Sequence, residues 1–76
     1  MADKRPLAEL KQYRAEHGYT QEALGKELGV TGVSVSRWET GARTIDDDLL
    51  PKVSAFTEIP KRTLRPDLAE LLEAAE

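Results

Sequence analysis

Gly18, Gly29 and Gly41 cut the first half of the chain into helix-length pieces, and strand signals are almost absent. This punctuation constrains the fold more than any other feature. An apolar stripe repeating every three or four residues fits one face of a helix, and a glycine just past its end supplies the left-handed residue that stops it. In the first piece Leu7, Leu10 and Tyr13 recur at a spacing of three, Pro6 suits the opening turn, and Lys11, Arg14 and Glu16 lie partly or wholly off the stripe. In the second, Thr20 reads as an N-cap, and Ala23, Leu24 and Leu28 form the inward stripe. In the third, Val35 and Trp38 mark the buried side of a short helix over 32–40.

Two more helices are expected beyond Gly41. Asp46, Asp47 and Asp48 fit the positive end of a fourth, with Leu49, Leu50, Val53 and Phe56 facing inward. Pro51 must then lie in its first turn, since deeper inside a helix proline costs about 3 kcal/mol. A last helix at about 65–75 opens near Pro66 and Asp67 and carries Leu68, Leu71, Leu72 and Ala75 on one side. The expected architecture is therefore an all-α, five-helix compact bundle. A chain of 76 residues makes one domain, 1–76, with its core at about 6–58.

Composition narrows the function. Without cysteine there is neither disulfide nor thiolate zinc site, and His17 is the single histidine, so no metal or other cofactor is expected. No Ser/His/Asp or Cys/His arrangement, glycine-rich phosphate loop or pocketed carboxylate pair can be assembled, which argues against an enzyme. No apolar run exceeds two residues, so no membrane span or secretory signal is expected and a cytoplasmic location is the default. The net charge of −3 runs against nucleic-acid binding, yet residues 1–45 sum to +1 and residues 46–76 to −4. The acidity sits behind the two helices that meet at Gly29, in keeping with modest nonspecific affinity for phosphate.

Two short helices joined by a tight turn at Gly29 allow the second to stand proud of the domain and enter a major groove, although many helical hairpins never touch DNA. The residues themselves go further. The runs Leu10-Lys-Gln-Tyr-Arg14, Gly18-Tyr-Thr-Gln-Glu-Ala-Leu-Gly-Lys-Glu-Leu-Gly-Val30 and Val35-Ser-Arg-Trp-Glu-Thr-Gly41 resemble the DNA-binding domain of the phage repressor and Cro class, the XRE-like helix-turn-helix proteins. The likeness is specific from Leu10 to Gly41 and looser from Ile45 to Phe56. It implies a bundle of the lambda-repressor-like type with the helix-turn-helix at about 21–40, a recognition helix over 32–40, and a homodimer on a nearly palindromic operator in double-stranded DNA. It also implies a bacterial or phage origin. The run from Ile59 to Leu68 resembles the ending of a Cro-like phage regulator subgroup that closes with Leu-Arg-Pro-Asp.

The resemblance assigns roles residue by residue. Leu24, Leu28, Val30, Val35 and Trp38 match core positions, and Arg14 and Glu39 match a salt bridge between the first helix and the end of the third. Gln21 matches a residue that binds phosphate and braces the recognition helix; an amide at a helix N-terminus suits that task, and a solvated side chain is its plain alternative. Thr31 caps the third helix, touches phosphate, or does both. Base readout falls to Gly32, Val33, Ser34, Ser36 and Arg37. Arg37 can donate twice to guanine, with a phosphate contact or a surface ion pair with Glu39 or a neighbour as alternatives, and Val33 offers methyl groups to thymine. Common family members place Gln, Arg or Ser where this chain has Gly32 and Val33, so specificity leans on close approach and DNA shape. Gly41, Arg43 and Thr44 match a loop whose amides and basic side chain touch phosphate. The function implied is a transcriptional regulator, a repressor in the simplest case. The alternative on the same fold is a protein-interaction module such as an antitoxin or antirepressor.

Overall fold

Local chemistry decides where the second and third helices begin and end. The computed structural model describes residues 7–68 and Leu71, and α1 (Ala8–Glu16), α2 (Gln21–Leu28) and α3 (Gly32–Thr40) fill the pieces between the glycines. Thr20 Oγ1 accepts from the Ala23 amide at 3.0 Å, and Thr31 Oγ1 accepts from the Ser34 amide at 3.2 Å. Each hydroxyl satisfies one of the amide groups that a helix start leaves unpaired. Gly29 and Gly41 close α2 and α3 at φ 79° and 82°, in the left-handed region that a Cβ disfavours. At the end of α1, His17 Nδ1 lies 2.9 Å from the Tyr13 carbonyl oxygen, so the imidazole serves the last turn.

The core forms where the stripes meet. Leu10, Leu24, Leu28, Val35, Ile45 and Val53 are fully buried, and Leu7, Trp38, Leu50 and Leu64 nearly so. α2 packs chiefly on α3, and α1 reaches α3 as well, with the Leu7 amide donating to the Glu39 carbonyl at 3.2 Å. Tyr13 is half-buried and joins an aromatic group, its ring 4.1 Å from His17 and 6.3 Å from Phe56 between centroids. One stripe position differs from expectation. Ala23 is exposed, and Gly25 is the small buried residue beside Leu24 and Leu28. A Cβ on Gly25 would stand 2.8 Å from main-chain atoms of Val30 and Thr31, so the turn between α2 and α3 crosses directly over it.

The fourth helix, α4 (Leu50–Thr57), has Pro51 in its first turn as expected, but the aspartates do not cap it. Instead the Asp46 main-chain carbonyl accepts from the Leu49 and Leu50 amides at 3.0 Å each, and the Asp47 carboxylate accepts from Arg65. Asp47 finds an opposite charge from a distant part of the chain, and a carbonyl turn does the work of the cap. α4 ends at Glu58, whose φ of 61° is the one positive value among the described non-glycine residues.

The C-terminal part departs further. A short α5 (Lys61–Leu64) follows Pro60, and a 3-10 turn spans Pro66–Leu68 where a longer helix was expected to open. The residue before a proline is pushed away from helical dihedrals, and Arg65 at φ −131°, ψ 76° obeys, so α5 must stop at Leu64. Leu64 is buried, which carries the core past residue 58. Leu68 is half-buried and Leu71 exposed, while Pro6, Leu72 and Ala75 lie outside the described residues, as does most of the expected 65–75 helix. Five α-helices and no strand among the described residues make this an all-α bundle.

Candidate nucleic-acid interface

The orientation of α3 is set from behind by one buried carboxylate. The Glu39 side chain is 3% exposed. Its Oε2 accepts from Arg14 Nε at 2.7 Å, and its Oε1 accepts from Arg14 Nη2 and from Gln21 Nε2, each at 3.1 Å. Arg14 thus forks onto the carboxylate in the two-bond geometry that makes such pairs strong and directional, and its Nη1 also donates to the Tyr19 carbonyl at 3.2 Å. Burial pushes the Glu39 pKa up. The hydrogen bonds from Arg14 and then Gln21, with the attraction of Arg14 and Lys11, outweigh it and hold the carboxyl below its ordinary range. For Arg14 the hydrogen bond to Glu39 is the main cause of a raised pKa. One carboxylate therefore joins α1, the start of α2 and the end of α3.

The front of α3 is a ridge between two concavities. Gln21, Lys26, Thr31, Val33 and Ser36 line an open depression on one side. Ser34, Arg43, Thr44 and Asp46 line a narrower cleft on the other, and Arg37 and Val30 border both. Val33 is 58% exposed, the most exposed large apolar side chain of the helix-turn-helix. Arg37 is exposed, whereas Gly32, Ser34 and Ser36 are half-buried.

Gly32 has a structural task besides any contact it makes. A Cβ there would lie 2.9 Å from the Glu22 main chain, so its absence lets the start of α3 sit against the start of α2. Gln21 has one N–H directed at Glu39 and a second left to donate outward. Thr31 is exposed and occupied as the α3 cap. Behind the ridge, the Arg43 amide donates to the Arg37 carbonyl at 3.2 Å, which ties the following loop to the last turn of α3.

Around α3, Lys26, Arg37 and Arg43 have no side-chain hydrogen bond or ion pair among the described residues, whereas Arg14 and Arg65 are held in ion pairs. The suggested pairing of Arg37 with Glu39 is not made, because both Glu39 oxygens are taken from the interior side. Three uncommitted cations around one convex helix make a surface suited to an anionic polymer. Sequence reasoning missed Lys26, Glu22 and Asp46 here. Lys26 lies five residues beyond Gln21 on α2, and only the packing of α2 against α3 reveals that it borders the same depression.

A family model described as Helix-turn-helix matches residues 10–64. The chain belongs to the helix-turn-helix family, in its repressor and Cro, or XRE-like, class. No curated protein and no solved structure matches the chain significantly. The family match makes this helix-turn-helix protein a DNA-binding regulator of the XRE type. Among its described residues no group of His, Asp and Glu could hold a metal ion, and no helix is long and apolar enough to cross a membrane.

Proposed function

We propose that this helix-turn-helix protein is a sequence-specific repressor that binds a palindromic operator in double-stranded DNA as a homodimer, inside a bacterial cell, and represses by occluding a promoter. The observation that carries the reading is the α3 ridge itself: Val33 and Arg37 stand exposed on its front while Glu39 is locked behind it. A helix so held can enter the major groove without adjusting its angle, and the cost of ordering it has been met in the free protein.

In this reading Arg37 donates to guanine O6 and N7, and Val33 packs on a thymine methyl. Ser36 and Ser34 flank them, and Gly32 permits close approach of the helix start. Gln21, Thr31, Arg43 and Thr44 meet phosphate and set the register. Selection of bound sequences from a random duplex library tests it, run beside Arg37→Ala at two salt concentrations. The expected result is a palindrome with half-sites about one helical turn apart, one position of which relaxes in Arg37→Ala. No enrichment at either salt would overturn the reading in favour of a protein-binding module.

A further inference from the structure

Arg65 lies one residue beyond the matched family region, and its side chain is only 11% exposed. Nε and Nη2 fork onto the Asp67 carboxylate at 2.9 and 2.7 Å. Nη1 donates to the Ile45 carbonyl at 2.7 Å and to Asp47 Oδ1 at 2.6 Å. The Asp47 side chain is 79% exposed, so water weakens that ion pair, and the Ile45 carbonyl is the firmer attachment. Asp67 fixes the plane of the guanidinium so that Nη1 faces the loop.

That loop runs from Gly41 to Leu49 and carries Arg43 and Thr44. It is tied at two points. On one side the Arg43 amide is bonded to the Arg37 carbonyl at the end of α3. On the other, Ile45 has its side chain fully buried and its carbonyl on Arg65. Thr44 stands between the two ties, and with Arg43 it lines the cleft beside the recognition helix. If the second tie is cut, the Ile45 carbonyl loses its partner and the loop can pivot about the buried side chain. The Arg43 and Thr44 groups then no longer share a fixed spacing with α3.

We propose that Arg65 is a positioning residue for DNA binding: it clamps the loop after the recognition helix so that Arg43 and Thr44 meet phosphate while α3 lies in the groove. The C-terminal segment is then a working part of the DNA-binding unit. The inference rests on the DNA-binding reading above and assigns Arg65 no contact with DNA.

The test is binding of a mixed-sequence DNA duplex at several salt concentrations by the wild-type chain, Arg65→Ala, Arg65→Lys, Arg43→Ala and the double variant Arg65→Ala/Arg43→Ala. Arg65→Ala should weaken binding about fivefold and lower the salt slope by about one, because a phosphate contact is lost although no DNA-facing charge was removed. Arg65→Lys keeps the charge but cannot serve Asp67 and Ile45 together, so it should show the same loss in part. In the Arg43→Ala background the Arg65→Ala effect should largely vanish, as coupled residues require. Urea unfolding followed by Trp38 fluorescence establishes that each variant is folded under the assay conditions, and Arg65→Lys carries the test if Arg65→Ala is not. Unchanged affinity and slope in the folded Arg65 variant would overturn the proposal. So would an equal loss with and without Arg43, which is the mark of a role in stability alone. Failure of the wild-type chain to bind any duplex would instead overturn the DNA-binding reading, and the clamp with it.

Discussion

Glu39→Ala should destabilise the fold by about 3 kcal/mol. Breaking a buried ion pair by removing one partner costs roughly 3–5 kcal/mol, because the survivor is left charged and unpaired. Here the survivor is Arg14, whose side chain keeps 18% exposure and one bond to the Tyr19 carbonyl, so water relieves part of the penalty and the lower end applies. Gln21 loses its partner too, but it is only half-buried and its amide can turn to solvent. Against a total stability of roughly 4–11 kcal/mol for a domain of this length, that is a large fraction. It corresponds to a fall in Tm of roughly 12–24 °C, at about 4–8 °C per kcal/mol.

The assay is urea unfolding read by Trp38, which is buried in the native state and unique in the chain. Arg14→Ala and the double variant complete a cycle. The pair should show a coupling above about 1 kcal/mol, and Arg14→Met/Glu39→Leu should recover most of the loss, since apolar replacement of a buried pair is often neutral. A loss below about 1 kcal/mol in Glu39→Ala, or costs that simply add, would refute the reasoning that Glu39 holds the three helices together.

Arg43→Ala should weaken binding about equally across DNA sequences and reduce the salt slope by about one, whereas a change in base preference would show that it reads bases. Thr31→Ala should cost about 1 kcal/mol of stability through the lost α3 cap, with Thr31→Ser retaining it, as thermal unfolding would report. Gly25→Leu should destabilise by at least about 1–3 kcal/mol, because the added atoms meet the main chain of the turn rather than a movable side chain; an unchanged urea midpoint would exclude that close crossing. Stability should also fall in acid. The Glu39 and Asp67 pKa values lie below the ordinary 4.5 and 3.8, so the stability they contribute is whole above those values and is lost as pH falls through the lowered ones. Urea midpoints from neutral pH downward would measure this, and Glu39→Gln should flatten the profile.

What could be read from the sequence was what local chemistry determines. Thr20, Gly29, Thr31 and Gly41 act on their own few residues, and the helices they bound begin and end where those residues say. The Arg14 and Glu39 pairing came from the family pattern, and the same two side chains meet in the structure. What was missed is non-local. Asp46, Asp47 and Asp48 have the composition of a helix start, but Asp47 is claimed by Arg65 from 18 residues away. Ile45 and Leu64 stand outside any helical stripe long enough to reveal their burial. Ala23 and Gly25 exchanged places because the closeness of the Val30 and Thr31 main chain, and not apolar character, decides which of them is inside.

The ties that close this fold are non-local in sequence, and that bears on the order in which it assembles. Arg14 meets Glu39 across 25 residues, Arg65 meets Ile45 across 20, and the Tyr13 hydroxyl reaches the Phe56 carbonyl across 43. Loop closure grows costlier only slowly with length, so the 25-residue junction and the 43-residue tie differ modestly in what closing them costs. Helices α1 to α3 hold all the parts of the Glu39 junction, so they form a natural nucleus that a growing chain completes before α4 and the Arg65 segment arrive. Refolding of Arg65→Ala should then start at the wild-type rate and differ only in how fast the finished molecule comes apart.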